Sequence, residues 1–362
     1  MLSTIATPPP IVRQQTHAFH GSPTMRTTFF SIKRFERDSF GDRLRDTKID
    51  AELLETRLDT KTAPLAAGSE CVSVFVNDDC GEGVLSTLSD GGTNLLALRS
   101  AGFNHVDLDA ADRLGITVAR VPAYSPAGVA EHAAALLLAL NRKIHKAYNR
   151  VREGNFSIDG LMGFDLAEKT VGIIGTGKIG VSFARIASGF GCRVIGFDPH
   201  RNEDFEAAGG RYTDLHELFS TSRVVSLHCP LTPETHHMIN HDALRTLADD
   251  AILINTSRGG LIDTPALIAS LKQERLGAVG IDVYEEEESF FFRDLSDRVL
   301  TDDLLARLLT FPNVLVTAHQ GFFTTEAVHA IAEVTMENLL TAARSGTDAI
   351  PEQNIVHAKA HA

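Results

Sequence analysis

The sequence predicts an α/β protein built as two doubly wound parallel-sheet domains, and three observations predict it. Short apolar runs rich in β-branched residues alternate with helical segments, as in parallel strands joined by crossover helices. At 362 residues the chain exceeds what one hydrophobic core comfortably fills. The strand–helix alternation also restarts after Lys169, as a second domain would.

In chain order, residues 71–76 read as a strand followed by a turn at Asn77-Asp78-Asp79, and 94–98 and 115–121 read as further strands. Ser125 is an N-cap with Pro126 at the first helical position. Residues 130–152 continue that helix without a Gly or Pro, rich in Ala and Leu. Such a helix suits a connection between domains, a partner subunit's surface or an interior packing position. After Lys169 come strand-like runs at 170–174, 193–197, 224–227, 251–254, 279–283 and 314–317. Each is short and apolar on both sides, as buried parallel strands are. Helical segments lie between them, for example 179–188 and 264–273, and an amphipathic helix over 325–344 precedes a polar tail containing Pro351.

Composition narrows the function classes. Hydrophobic residues make up 43% and charged residues 22%, ordinary globular values. A formal net charge of −13 with no long basic run argues against nucleic-acid or anionic-membrane partners, and no apolar stretch is long enough for a membrane span. The four cysteines, Cys71, Cys80, Cys192 and Cys229, form no C-x-x-C pair and have no zinc-ligand spacing, so no metal site is expected from them. So few thiols fit a reducing, cytoplasmic setting and small buried apolar roles. Residues 1–24 contain no acid, one arginine (Arg13) and the run Pro8-Pro9-Pro10. They lack a secretory apolar region and the Arg content of a transit peptide. They read as a disordered extension or as the product of an upstream start codon, with the fold beginning near Met25 and an organelle address as the remaining alternative.

The segment 170–180 contains G-x-G-x-x-G as Gly175, Gly177 and Gly180. The motif alone is weak, but here an apolar strand precedes it, a helix follows, and Asp198 ends the next strand about 20 residues on. Gly175 permits the tight turn, Gly177 lets backbone approach a pyrophosphate, and Gly180 lets helix and strand pack closely. The N–H groups of Lys178 and Ile179 open the helix, where the dipole favours phosphate oxygens. Asp198 can accept both adenosine ribose hydroxyls and would repel a 2′-phosphate. This is a Rossmann dinucleotide fingerprint that selects NAD, although His200 and Arg201 nearby could soften that selection.

Hydride transfer to a 2-oxo acid needs a cation for the carboxylate, a proton donor for the developing alkoxide, and a group that keeps the donor protonated. Arg258 ends the 251–254 run in a Gly-bordered turn, and its planar fork suits a carboxylate. His319 ends the 314–317 run, and histidine suits general acid–base work near neutrality. The run Glu285–Glu288 puts acids at another strand end, where a carboxylate beside an imidazolium favours the charged form. Ligands of doubly wound sheets bind at the carboxyl ends of the strands, where all three groups fall. Singly, each has a plainer reading: a surface ion pair, a core histidine, a solvated acidic face. Jointly, downstream of a dinucleotide motif, they point to a dehydrogenase.

The chain resembles the D-isomer-specific 2-hydroxyacid dehydrogenase family, and within it the fermentative bacterial D-lactate dehydrogenases. The resemblance is carried by Phe75-Val-Asn-Asp-Asp79, Ala97-Leu-Arg-Ser-Ala-Gly-Phe-Asn104, Val121-Pro-Ala-Tyr-Ser-Pro126, Ala130-Glu-His-Ala133, Gly175-Thr-Gly-Lys-Ile-Gly180, Ser226-Leu-His-Cys-Pro-Leu-Thr-Pro-Glu234, Asn255-Thr-Ser-Arg-Gly259, Asp282-Val-Tyr-Glu285 and Thr317-Ala-His-Gln320. It runs from about Met25 to Asn354. It implies reversible reduction of pyruvate to D-lactate with NADH, with Arg258 on the substrate carboxylate and His319 as proton donor. The acid paired with His319 would be Glu287, which the family places five residues after the aspartate matching Asp282. Asp282 would contact the nicotinamide carboxamide. Cys229, Pro230, Thr235, Thr256 and Ser257 would line the nicotinamide and ribose, and Tyr124 and the backbone around Val76 and Asn77 would reach the substrate.

The resemblance further implies a flavodoxin-like substrate domain of residues 25–123 and 321–362, interrupted by an NAD-binding domain of residues 124–320, with a cleft and hinge at the crossings. It implies a homodimer or homotetramer built on the helix that begins near Ala130. Two other readings stay open. One is the same chemistry on a bulkier 2-oxo acid; the family's formate dehydrogenases lack the paired Glu, and its phosphoglycerate-type members need added basic residues and often a regulatory domain. The other is an NAD(H)-binding, corepressor-like sensor, since fold and motif alone do not exclude a binding module.

Overall fold

The computed structural model describes residues 25–45 and 47–358, so the extension expected over residues 1–24 lies outside them. The chain divides into two compact units: one ends at Tyr124 and resumes at Thr324, and the other is Ser125–Phe323.

In the first unit, strands β1 (Met25–Phe29), β2 (Ile49–Leu53), β3 (Cys71–Val74), β4 (Leu95–Leu98) and β5 (Thr117–Ala119) form a wholly parallel sheet in the order β2-β1-β3-β4-β5. This is the flavodoxin-like order, with its switch point between β1 and β3. Side chains alternate between two buried layers. Val72, Val74, Leu96 and Leu98 pack with Leu85 and Leu88, whereas Cys71, Leu95 and Ala97 pack with Phe29 and Phe40. Burial on both faces is why β3 and β4 read as continuous apolar runs. The helix Thr325–Ser345 adds Ala332, Met336 and Leu339 to the second layer, which places the C-terminal segment in this unit. β1 and β2 are strands that the apolar-run criterion does not single out, because β1 carries three polar residues in a row, Arg26, Thr27 and Thr28, and β2 is interrupted by Asp50 and Glu52. Thr28 is nonetheless fully buried, its hydroxyl bonded to Ser69 Oγ at 2.8 Å.

The second unit holds β6 (Thr170–Ile174), β7 (Arg193–Phe197), β8 (Gly210–Tyr212), β9 (Val224–Leu227), β10 (Ile252–Asn255), β11 (Ala278–Ile281) and β12 (Val314–Val316). All are parallel, in the order β12-β11-β10-β9-β6-β7-β8. This is the Rossmann order extended by one strand, with the switch point between β6 and β9. Alternation again separates two layers: Val171, Ile173, Ile252 and Ile254 with Leu136 and Phe183, and Ile174, Val225 and Leu253 with Leu267 and Leu305. β8 has three residues and no apolar run, which hides it in the sequence.

One expectation is corrected. The helix expected to run unbroken through 130–152 is two helices, Pro126–Asn141 and Ile144–Arg152. No Gly or Pro breaks it. Lys143 takes the left-handed conformation at φ 50°, and returning chain holds the break. Asn141 Nδ2 donates to Phe164 O at 2.8 Å, Phe164 N donates to Asn141 Oδ1 at 2.9 Å, and Lys143 Nζ donates to Met162 O. The N-cap is as expected: Ser125 Oγ accepts from Gly128 N at 3.1 Å. Among the described residues no helix is long and apolar enough to cross a membrane. All four cysteines are free, and all but the half-buried Cys192 are buried.

Candidate active site

The glycine-rich turn follows β6 and sits at the switch point. Gly175 has φ 92°, and its N–H donates to Phe197 O at 2.9 Å. A Cβ at Gly175 would lie 2.5 Å from Cys229 N, and one at Gly180 would lie 2.0 Å from Gly175 O. Nothing lies within 4 Å of a Cβ built on Gly177, so backbone there opens onto free space. Gly177 is the N-cap of the helix Lys178–Gly189, and no side chain caps it. The first-turn N–H groups of Lys178 and Ile179 therefore meet no capping side chain, and such a terminus is a ready anion site.

Asp198, just past β7, accepts from Thr176 N at 2.7 Å through Oδ2 and from His200 N at 2.9 Å through Oδ1. These bonds fix its carboxylate beside the turn. Arg201 lies over the Tyr212 ring and reaches toward Glu206 at 3.9 Å. The ends of β9 and β10 are tied together, with Ser257 Oγ donating to Cys229 O at 2.5 Å and Ser257 N to Asn255 Oδ1 at 3.0 Å. Thr235 Oγ1 donates to Pro230 O at 2.7 Å and shapes the loop after β9. Thr256 Oγ1 is buried without a hydrogen-bond partner, an orphan that a bound polar group would satisfy. Open backbone, an uncapped helix start, a fixed acid and an orphaned hydroxyl fit a dinucleotide.

Burial sets the ionisation of two neighbours in the segment after β9. The Cys229 thiol is pushed up to about 11, chiefly by burial, so it is no thiolate at neutral pH. Burial also pushes the His228 imidazole down to about 3. Although part of His228 meets solvent, its Nδ1 is buried without a partner and its Nε2 bonds Ser226 Oγ at 2.9 Å.

The three chemistry-bearing groups lie on strand ends of this same unit. Of the four consecutive acids, Glu287 is the one that meets His319: His319 Nδ1 lies 2.6 Å from Glu287 Oε1. Both side chains are mostly enclosed, at 16% and 20% exposure. Glu287 Oε2 accepts from Tyr284 N at 2.9 Å, which aims the carboxylate. Glu285 turns elsewhere, to His237 and Thr264, and Glu286 and Glu288 are exposed. His319 sits at φ 51°, a conformation that costs a non-glycine residue about 1–3 kcal/mol.

Asp282 holds His319 in that conformation. Its carboxylate accepts from Thr317 Oγ1 at 2.5 Å, Gln320 N at 2.9 Å and Gly321 N at 2.7 Å, and its backbone O accepts from His319 N at 2.7 Å. Burial raises the Asp282 carboxyl pKa, but bonds from His132 and Thr317 and attraction to His132 outweigh it and hold the group below the usual value. The rings of Phe292 and Phe322 flank His319, with centroids at 5.9 and 6.5 Å.

Arg258 follows β10. Gly259 lets its turn press on the end of β11: a Cβ there would lie 2.1 Å from Tyr284 C and 2.3 Å from Glu285 N. Arg258 Nη1 donates to Ser257 O at 2.6 Å, and among the described residues no carboxylate pairs with its guanidinium.

Sequence reasoning did not single out the buttresses His132, Phe292 and Phe322. His132 Nε2 lies 3.1 Å from Thr317 Oγ1 and 3.2 Å from Asp282 Oδ1, linking the helix Pro126–Asn141 to the His319 turn. A histidine breaking an Ala/Leu-rich helix was the available signal. Val76, Asn77 and Tyr124 belong to the first unit. Val76 and Asn77 form the turn after β3, which buried Asp78 organises by accepting from Phe75 N, Leu58 N and Ser31 Oγ at 2.7, 2.8 and 2.6 Å.

Comparison with known proteins agrees with this geometry. The family model described as D-isomer specific 2-hydroxyacid dehydrogenase, NAD binding domain, matches residues 134–321. The chain is 47% identical over 315 residues to the D-lactate dehydrogenase of Escherichia coli, covering 87% of this chain and 96% of that one. The solved pyruvate reductase of Chlamydomonas reinhardtii superposes with a TM-score of 0.83 at 41% identity, covering 89% of this chain and 97% of that one. The D-lactate dehydrogenase of Aquifex aeolicus, solved with NAD and lactic acid, gives 0.82 at 34% identity, covering 91% and 98%. With the dinucleotide turn, the acid–imidazole couple and these likenesses together, the chain belongs to the D-isomer-specific 2-hydroxyacid dehydrogenases and is an NAD-dependent oxidoreductase.

Proposed function

We propose that this chain catalyses the reversible reduction of pyruvate to D-lactate with NADH. The observation that carries the reading is the His319–Glu287 couple at 2.6 Å, on a sheet whose next strand end but one presents Arg258, which no carboxylate among the described residues pairs with. The relatives' names, which specify D-lactate and pyruvate, support the substrate.

Pyruvate offers one carboxylate and one carbonyl. Arg258 takes the carboxylate with its planar fork. Bound NADH supplies the hydride. His319 is held through Nδ1, so Nε2 is the nitrogen that gives a proton to the carbonyl oxygen, and in the reverse direction takes it back. Glu287 offsets the charge of the protonated ring and fixes its orientation. Asp282 keeps the His319 turn in register, and by family likeness it would contact the nicotinamide carboxamide. Cys229, Pro230, Thr235, Thr256 and Ser257 would line the nicotinamide and ribose, and Val76, Asn77 and Tyr124 would add substrate contacts. The corresponding domain roles are NAD binding for residues 124–320 and substrate binding for 25–123 with 321–362.

We further propose a cytoplasmic homodimer or homotetramer. Four free thiols fit the compartment. A run of exposed apolar side chains, among them Phe156 at 76%, Ile158 at 82% and Met162 at 86%, fits a subunit surface.

The proton-donor assignment is tested with His319→Ala. Pyruvate turnover should fall about 10²–10⁴-fold, while NADH affinity, read by fluorescence titration, stays near that of the parent. Near-parent turnover would remove His319 from the chemistry.

A further inference from the structure

We propose that His236, His237 and Glu285 form a binding site for one divalent transition-metal ion of the zinc class, separate from the catalytic couple. One imidazole nitrogen from each histidine and a carboxylate oxygen of Glu285 all lie within 4.8 Å of one another. Two chain segments supply them, the loop after β9 and the end of β11, so the convergence belongs to the fold rather than to a sequence neighbourhood.

Adjacent side chains normally diverge, but these two rings stack with centroids 3.9 Å apart and planes 22° apart. Backbone produces this. His237 takes φ 51°, a costly conformation for a non-glycine residue. It is pinned there by His237 N donating to Gly260 O at 2.8 Å, while His236 N donates to Thr232 O at 2.9 Å.

The third ligand is fixed as well. Glu285 Oε1 lies 2.6 Å from His237 Nε2, and its other oxygen accepts from Thr264 Oγ1 at 2.6 Å. A hydrogen-bonded second oxygen is how ligating carboxylates are oriented. Glu285 is free for this task because Glu287 serves His319.

Two imidazoles and a carboxylate suit zinc, cobalt, nickel or copper rather than magnesium or calcium, which prefer oxygen-only sets. Bonds of about 2.0–2.1 Å in a tetrahedron put ligand atoms about 3.4 Å apart, so on binding the His237–Glu285 pair, now at 2.6 Å, gives up its hydrogen bond and opens, while the wider spacings within the 4.8 Å cluster close. His236 is exposed, which gives the ion an entry path and leaves further positions to water.

The test uses the full chain, stripped with chelator and titrated with Zn²⁺ by calorimetry, beside His236→Ala and Glu285→Gln. The parent should bind one equivalent that both variants weaken at least tenfold, with excess Mg²⁺ failing to compete. Other histidines in the chain could hold zinc, and such equivalents would be the same in all three proteins. Because His236 is exposed, His236→Ala should melt at the parent's temperature without metal, so loss of binding there is not loss of fold. No zinc equivalent in the parent, or parent-like affinity in either variant, would overturn the proposal.

Discussion

Arg258 carries a charge that no described carboxylate balances, on a turn whose backbone is pressed against the end of β11. Arg258→Ala should lower kcat/KM for pyruvate by about 2–5 kcal/mol, and Lys should restore little of it, because a point charge does not replace a fork. Steady-state kinetics on the two variants decide this. His228 gives a second prediction, on stability. Its imidazole is held down to about 3, far below the ordinary 6.5, so the folded protein resists a proton that the unfolded chain takes. Its contribution is whole above pH 6.5 and is lost as pH falls from 6.5 toward 3, at about 1.4 kcal/mol per pH unit. Denaturant midpoints across that range should therefore fall more gently in His228→Gln than in the parent. At this scale the sequence showed residue types more clearly than partners. Arg258 and His319 stood out because each ends an apolar run. Nothing local could say which of four consecutive glutamates meets the imidazole. The family register named Glu287, and the short helical turn Glu287–Ser289 supplies the geometry behind that choice.

Among elements, the turn from β6 into the helix Lys178–Gly189 is the most tightly determined. Gly180→Ala would set a methyl 2.0 Å from Gly175 O, so the helix must shift. The expected cost is about 1–3 kcal/mol or more of stability, with NADH affinity lowered because the helix start moves from the phosphate position. Thermal melting with and without NADH measures both effects. Elements buried on both faces were legible because burial makes their composition uniform, and β6, β7 and β9 have the boundaries read from sequence. Elements whose burial is satisfied by polar pairing were not. Arg99 and Glu36 show why: each looks like a surface charge, yet Arg99 Nε donates to Glu36 Oε1 at 2.8 Å with both buried, and Nη2 donates to Phe30 O at 2.7 Å. The helix break at Lys143 was hidden for a similar reason, since its causes, Met162 and Phe164, lie about 20 residues downstream.

For the whole molecule, the chain passes from the first unit to the second after Tyr124 and returns after Phe323, and each unit keeps its own two-layered core. The exposed apolar run through Phe156, Ile158 and Met162 predicts self-association. Light scattering should give a dimer or tetramer for the parent and a smaller species for Phe156→Asp with Ile158→Asp; a monomeric parent would contradict it. Both units serve one reaction, the reduction of a 2-oxo acid by NADH. Its most direct test is NADH oxidation by the purified protein across a panel of 2-oxo acids, with chiral analysis of the product. Fast turnover on pyruvate yielding D-lactate is the predicted result. Tight NADH binding without turnover on any acid, or L-lactate as the product, would contradict it.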